Sequence, residues 1–528
     1  MLLGALRRLT LLAVLLPSAW YAWEWRSMPH ASEYHDDGIY YVSAKSMAES
    51  GTFAIESLPN RPAQTKYPPL WPAVLAIAWA VNPHYPDNLP VAMFLCWIWL
   101  PLTLLAYRRW LHQAGASAAE LLLLPSLWAL NPYVILFSTA ILSEVMFTFL
   151  LLAALLCLQE DTVPAWAVLA GAVAGLAFLT RTAGIALLPV GLYCYFRRNA
   201  FRHMGLFLAG MLPCVAGWAL WSILHRSTNA DAVTLYYTNY FGYYLSIFQW
   251  KEAHLYAWKN LDGMIHSLGA FLLPDVTQSL FEKVLAETIG IAGIAGVVRL
   301  VREKGYPLYL PYALFTLVYA LMLVIWHFPP NERLLLPVAP LWIAGLCAEL
   351  KRLGLHIAQV FRKPETGQKI AGGILASALA LLLAFCGLRQ WMLLTQGLPT
   401  FYEDHARRLE QSEPAMAWIR TNLPPEARIL SENDPLLYLR TGRQGCGLEM
   451  ILTTIHWYRE DHAARTADHA QAPAYAQTHN LDYFVLNDWD YGRDMPAEEQ
   501  QKLLAALRTD ARLELLYSSG TTSVYRVR

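Results

Sequence analysis

Apolar blocks of about 15 to 20 residues recur along most of this chain, separated by short polar loops. A helical block of that length crosses most of a hydrocarbon core of about 30 Å, and inside lipid a backbone must satisfy its own hydrogen bonds. Repeated blocks of this kind leave one fold class, an α-helical polytopic membrane protein. Composition agrees, with 56% of the 528 residues apolar and 15% charged. An average soluble domain carries roughly 25% charged residues. Lys+Arg and Asp+Glu balance at 40 each, so charge gives no steer toward nucleic acid. The 7 cysteines include no C-x-x-C pair, which excludes a zinc-ribbon or redox motif. All but Cys446 lie in or beside apolar blocks and read as small hydrophobes, whereas Cys446 stands alone in a polar region.

Charge and length set the expected topology. Arg7-Arg8 precedes an apolar run that ends in the aromatic stretch Trp20-Tyr21-Ala22-Trp23-Glu24-Trp25. That ending suits a membrane-interface belt better than a signal-peptide cleavage site, so the run reads as an uncleaved span with a cytoplasmic N-terminus. Leu70–Val81 is apolar between Pro68-Pro69 and Asn82-Pro83. Its helix would be only about 18 Å long, so it reads as re-entrant or interfacial. Further spans are expected at 89–107, 121–138, 144–158, 165–180, 183–196, 205–224, 285–300, 307–326, 334–350 and 371–391, which with the first gives about eleven. The cytoplasmic loops then carry Arg108-Arg109, Arg197-Arg198-Arg202, Arg299-Arg302-Lys304, and Lys351, Arg352, Arg362, Lys363 and Lys369, as the positive-inside rule requires. One cytoplasmic loop, at Glu160-Asp161, has no basic residue.

Residues 1–394 thus form the membrane domain, with a first outer loop at 24–88 and another at 225–284. Residues 395–528 change composition and read as a small extracytoplasmic α/β domain. Helices are expected at 403–421, from Asp434-Pro435 to Gly442, and near 497–509, with strands at 427–431, 481–487, 512–518 and 521–527.

Ionisable residues beside apolar blocks mark the candidate site, because a charge at the bilayer edge is costly without a partner. Asp36-Asp37 opens a probable helix that Gly51 would end. Capping uses one carboxylate, which leaves the other for a base or a metal ligand. Lys66-Tyr67-Pro68-Pro69 leads into the short interfacial segment, and Lys66 alone reads most simply as an interface lysine. Ser143-Glu144 starts an inward-running span, with Ser143 a candidate cap. His327-Phe-Pro-Pro-Asn-Glu-Arg333 precedes another, where Asn331 could cap the helix and Arg333 could meet a phosphate at headgroup depth or pair with Glu332. Arg181 sits at the outer end of a span. The aromatic loop Leu235–Leu245 suits sugar stacking, but it suits an interface belt better.

Taken in order, the acidic pair with Tyr40 (Asp36-Asp37-Gly38-Ile39-Tyr40), the Lys66–Leu70 turn, Ser143-Glu144 and the Arg333-Leu-Leu-Leu-Pro-x-x-Pro340 run resemble the GT-C glycosyltransferases. The pattern is similar to that of protein O-mannosyltransferases and bacterial aminoarabinose transferases, across roughly residues 1–395. The resemblance implies a membrane glycosyltransferase that moves a sugar from a polyprenyl-phosphate donor to a hydroxyl acceptor at the extracytoplasmic face, with inversion. The acceptor class stays open among a glycolipid, a protein and a polysaccharide. Asp36 would be the general base, made stronger by a raised pKa in a sheltered site. Arg333 would hold the lipid phosphate. Asp37 and Glu144 would orient the acceptor or hold a cation, while Tyr40, Lys66, Tyr67, Arg181 and His327 would line the substrate site. A divalent cation, Mg²⁺ or Mn²⁺ on Asp36 and Glu144, stays open, since some members of the family use a metal and others do not. The implied location is a bacterial inner membrane, with the C-terminal domain periplasmic. Two other readings stand beside the enzyme: a flippase for a lipid-linked sugar, and a sensor or assembly protein acting through its outer tail.

Overall fold

The computed structural model describes residues 10–28, 31–160, 163–227, 232–274, 279–304, 309–361, 366–447, 458–492 and 495–528. Arg7, Arg8, Asp161, Arg362 and Lys363 of the expected topology lie outside these residues.

Among the described residues, five helices are long and apolar enough to cross a membrane: Leu89–Gln113, Phe201–His225, Leu280–Glu303, Glu332–Phe361 and Gly367–Asn422. A sixth is the pair Glu120–Ala129 and Pro132–Ser138, bent by 61°. Pro132 causes the break, because it has no N–H to give and restricts the residue before it. Other expected spans are helical but shorter, among them Glu144–Gln159, Pro164–Thr180 and Leu310–Val324. Length and apolarity alone therefore qualify five or six spans against the eleven expected. The short segment forms a 12-residue helix over Leu70–Val81, burying Trp71, Leu75 and Trp79.

Small residues let these helices approach closely, as they must where no hydrophobic effect drives association within lipid. Gly171-Ala-Val-Ala-Gly175 on helix Pro164–Thr180 faces Phe207, Met211 and Cys214 of helix Phe201–His225. A Cβ on Gly171 would strike the Phe207 carbonyl, and one on Gly210 would strike the Val168 carbonyl. Gly296 and Gly345 make the same close contact between helices Leu280–Lys304 and Ala339–Phe361.

The boundary expected at 395 falls inside a helix. Helix Thr366–Met392 continues through a π-helical turn at Leu393–Gly397 into helix Leu398–Asn422. The composition shift there marks a change of surroundings, not a break in the chain. Beyond it lies a five-stranded sheet of order β2-β1-β3-β5-β4: β1 (Arg428–Leu430), β2 (Gln444–Cys446), β3 (Tyr483–Asn487), β4 (Leu513–Ser519) and β5 (Thr522–Val527). Strands β1, β2 and β3 are parallel, and β5 pairs antiparallel with β3 and β4. Four of these strands were expected. The fifth, β2, has three residues and no alternating pattern, and it buries Cys446. The polar surroundings of Cys446 in sequence therefore misread its place in the fold.

This tail does not stand apart. Leu430, Phe484 and Leu486 share one apolar cluster with Ile39, Ile55 and Leu58 of the first outer loop and with Tyr236, Tyr237 and Tyr243 of the aromatic loop. The sheet thus packs onto the two outer segments that carry the candidate site.

The glycine contacts can be tested by size. Gly171→Leu should lower stability by about 1–3 kcal/mol, the usual range for overpacking, read as an earlier thermal melt in detergent. Gly205→Ala, which meets open space, should leave the melt unchanged or raise it.

Candidate active site

Asp36 and Asp37 begin helix Asp36–Ser50, which ends at Gly51 with φ +65°. Successive residues on a helix point about 100° apart, so the two carboxylates leave the helix in different directions. Asp37 pins the turn that enters the helix. Its oxygens accept from the backbone N–H groups of Glu33 (3.1 Å), Tyr34 (3.1 Å) and Gly38 (3.0 Å), and the residue is fully buried. Burial pushes its carboxyl up to about 7, against the pull of the Gly38 N–H. The expectation that Asp37 orients an acceptor or binds a cation is corrected by this geometry: its oxygens are spent on backbone donors, and it does not line the cavity.

Asp36 points the other way, into a cavity of about 220 Å³. Tyr40, Lys66, Tyr67, Arg181, His327 and Arg333 line the same cavity. Arg333 donates from one terminal nitrogen to Asp36 (2.8 Å) and from Nε to Glu144 (2.6 Å). Arg181 donates to the same Glu144 oxygen (2.5 Å) and to the Ser143 hydroxyl (3.2 Å). Glu144 is fully buried at the start of helix Glu144–Gln159, beneath the cavity. Two cations flank it because a lone carboxylate there would be prohibitively costly. Neither Ser143 nor Asn331 caps its helix with its side chain. Ser143 spends its hydroxyl on Arg181 instead.

The Tyr67 hydroxyl donates to the second oxygen of Asp36. Burial alone would push the Asp36 carboxyl up. Arg333, Lys66 and the Tyr67 hydroxyl outweigh it and hold the carboxyl well below the usual range. The expected rise in its pKa is therefore reversed, and Asp36 is ionised and clasped.

Lys66 is not an interface lysine. Its ammonium lies over the ring of Tyr236 (3.2 Å to the centroid), with Tyr67 at 4.7 Å and Tyr240 at 5.1 Å. Among the described residues it makes no hydrogen bond. Burial lowers it to about 7, only partly offset by Asp36. His327 is buried beside the Tyr240 hydroxyl (3.1 Å). Desolvation, then Lys66, bring it down to about 3, so it is neutral.

Two rings of the aromatic loop, Tyr236 and Tyr240, line the cavity with Tyr34, Tyr319 and Trp326. Of these five, only Tyr236 and Tyr240 fall in a segment that the sequence singles out. The Leu235–Leu245 ring cluster was the one available signal, and it was weighed the other way.

A divalent cation does not suit this donor set. The Arg333 guanidinium already bridges Asp36 and Glu144, and Arg181 adds a second positive charge. Among the described residues no group of three or more His, Cys, Asp or Glu side chains is arranged to hold a metal ion. What the arrangement offers is a carboxylate beside an open volume, two cations (Lys66 and Arg333) facing it, and a ring-lined wall.

No family model and no curated protein matches this sequence. The solved structures similar to it include two of one protein. One is ArnT from Cupriavidus metallidurans in the apo state, at 14% identity, 93% of this chain, 92% of that chain and a TM-score of 0.47. The other is ArnT from Cupriavidus metallidurans bound to undecaprenyl phosphate, at 13% identity, 93% of each chain and a TM-score of 0.48.

Removing Glu144 would leave two buried guanidinium groups facing each other. Glu144→Ala should cost about 3–5 kcal/mol, visible as a large drop in melting temperature. Asp36→Asn, which leaves Arg333 its Glu144 partner, should cost markedly less.

Proposed function

We propose that this chain is a multi-pass membrane glycosyltransferase. It moves a sugar from a polyprenyl-phosphate donor to a hydroxyl acceptor at the extracytoplasmic face of a bacterial inner membrane, with inversion. The observation that carries the reading is convergence: Asp36, Lys66, Arg181 and Arg333, remote in sequence, line one aromatic cavity with Glu144 beneath it.

The chemistry follows from the residues. A neutral hydroxyl is a weak nucleophile and needs a base within hydrogen-bond reach. Asp36 takes the acceptor proton, the acceptor oxygen bonds to the anomeric carbon, and the bond from that carbon to the phosphate oxygen breaks. The departing phosphate gains negative charge, which Lys66 and Arg333 stabilise. Tyr236, Tyr240 and Trp326 offer ring faces to the sugar.

The clasp on Asp36 gives the sequence of events. Before donor binds, Arg333 and Lys66 hold the carboxylate ionised and weakly basic. An incoming phosphodiester competes for both cations, so Asp36 loses its partners as the donor seats. Its basicity then rises in the presence of the substrate that needs it. Asp37 and Glu144 serve as a turn pin and a charge anchor in this scheme, and no step runs through a metal ion.

Asp36→Asn should lower transfer by at least about 10²-fold, within the usual contribution of a general base, while expression and melting persist. Transfer at the wild-type rate would remove Asp36 from the role of base. Loss of the gene, followed by mass spectrometry of surface glycolipids and glycoproteins, should reveal one missing sugar and identify donor and acceptor together.

Lys66 gives a pH test. With its ammonium at about 7, the free protein loses this charge as pH rises through neutrality, and a bound phosphodiester would restore it. Binding then takes up a proton. Affinity for synthetic polyprenyl-phosphate mannose, a diester that does not titrate in this range, should fall by up to about tenfold per pH unit above that point. Lys66→Met should bind more weakly at pH 6 and flatten the dependence, as measured by titration calorimetry.

A further inference from the structure

The C-terminal tail places one buried carboxylate against the back of the cavity. Asp434 follows β1 and opens helix Asp434–Thr441. It is fully buried, 399 positions along the chain from His35, yet one of its oxygens meets His35 Nε2 at 3.1 Å. The same oxygen accepts from the Tyr237 hydroxyl at 2.7 Å, and His35 Nε2 lies 3.1 Å from that hydroxyl. His35 immediately precedes Asp36, and Tyr237 immediately follows Tyr236, whose ring covers Lys66. One tail carboxylate therefore holds both segments from which the cavity walls project.

The surrounding contacts point the same way. Asn433 accepts from the Ser32 hydroxyl (2.8 Å) and donates to the Ser32 carbonyl (2.8 Å). Pro435 packs so close to Gly38 that a Cβ there would overlap it. Ser32 and His35 both have positive φ, +68° and +59°, a region that residues with side chains rarely occupy. Such a backbone persists only where its surroundings enforce it, and Asn433, Asp434 and Pro435 supply those surroundings.

We propose that Asp434 is a positioning residue of the active site: through His35 and Tyr237 it fixes the backbone that aims Asp36 and Tyr236 into the cavity. It touches no substrate. The inference rests on Asp36 and Lys66 being the working groups, as argued above. It assigns the tail a part in turnover rather than in partner capture.

The test uses the full-length protein in lipid nanodiscs and synthetic polyprenyl-phosphate mannose, galactose and aminoarabinose as donors. Donor breakdown, with water as the acceptor of the sugar, is read as release of polyprenyl phosphate. Asp434→Asn and His35→Gln should each lower turnover at saturating donor by at least tenfold, a loss larger than any rise in the donor KM, since Lys66 and Arg333 are untouched. The double variant should be no worse than the poorer single one. Hydrogen exchange across residues 31–40 should quicken in both, with the membrane helices unchanged. Turnover near wild type in both single variants, or losses that multiply in the double variant, would overturn the proposal. So would exchange at 31–40 identical to wild type, whatever the activity. If Asp434→Asn does not fold, Tyr237→Phe removes one of the two bonds and should still lower turnover several-fold, and a wild-type value there also overturns it. Asp36→Asn run in parallel keeps the two ideas apart. An active Asp36→Asn variant would remove Asp36 from the role of base, a wild-type protein inert to all three donors would count against the glycosyltransfer reading, and in both cases the exchange data decide the positioning role.

Discussion

The Arg333 guanidinium is the interaction on which the rest of the site depends. It joins a carboxylate of the first outer loop to one at the head of a distant helix, in surroundings where neither acid could stay charged alone. Arg181 completes the balance on Glu144. Three segments far apart in sequence are thereby tied to one another. A planar fork with fixed donors suits this better than a lysine, because one side chain reaches two acceptors at once.

Around this bridge the protein divides labour between adjacent residues. Asp37 pins the turn that enters a helix so that Asp36 is free to face the cavity. Ser143 gives up a capping role to steady Arg181. The tail is drawn into the same economy of contacts, with its sheet sharing an apolar cluster with the first outer loop and the aromatic loop.

The ionisable members of the site were legible in the sequence because charge beside an apolar block is expensive and so stands out. Asp36, Glu144, Arg181 and Arg333 stand out on that ground, whereas Lys66 alone reads as an interface lysine and enters the site only through the family resemblance. The aromatic walls were not legible. In a chain with 28 Tyr and 20 Trp, a ring that lines a cavity has the same neighbours in sequence as one that faces lipid. Which member of the acidic pair faces the cavity depends on helix phase, which adjacency does not reveal. The low pKa of Asp36 also ran against expectation, because burial was visible from the sequence while the three groups that oppose it arrive from elsewhere in the fold. The contact of Asp434 with His35 spans most of the chain and has no local signal at all. Strands β1, β3, β4 and β5 were readable from their apolar runs, and the helix through 395 was hidden by the polarity of its second half.

That helix has a mechanical consequence. Gly367–Asn422 is continuous over 56 residues, or roughly 84 Å at 1.5 Å per residue, against a hydrocarbon core of about 30 Å. Membrane helices change tilt as bilayer thickness changes, and a lever of this length turns a lean of roughly 10° into a sweep of roughly 15 Å at its far end. Its far half packs against β4 and β5, so one unbroken rod joins the apolar segment to the sheet of the tail.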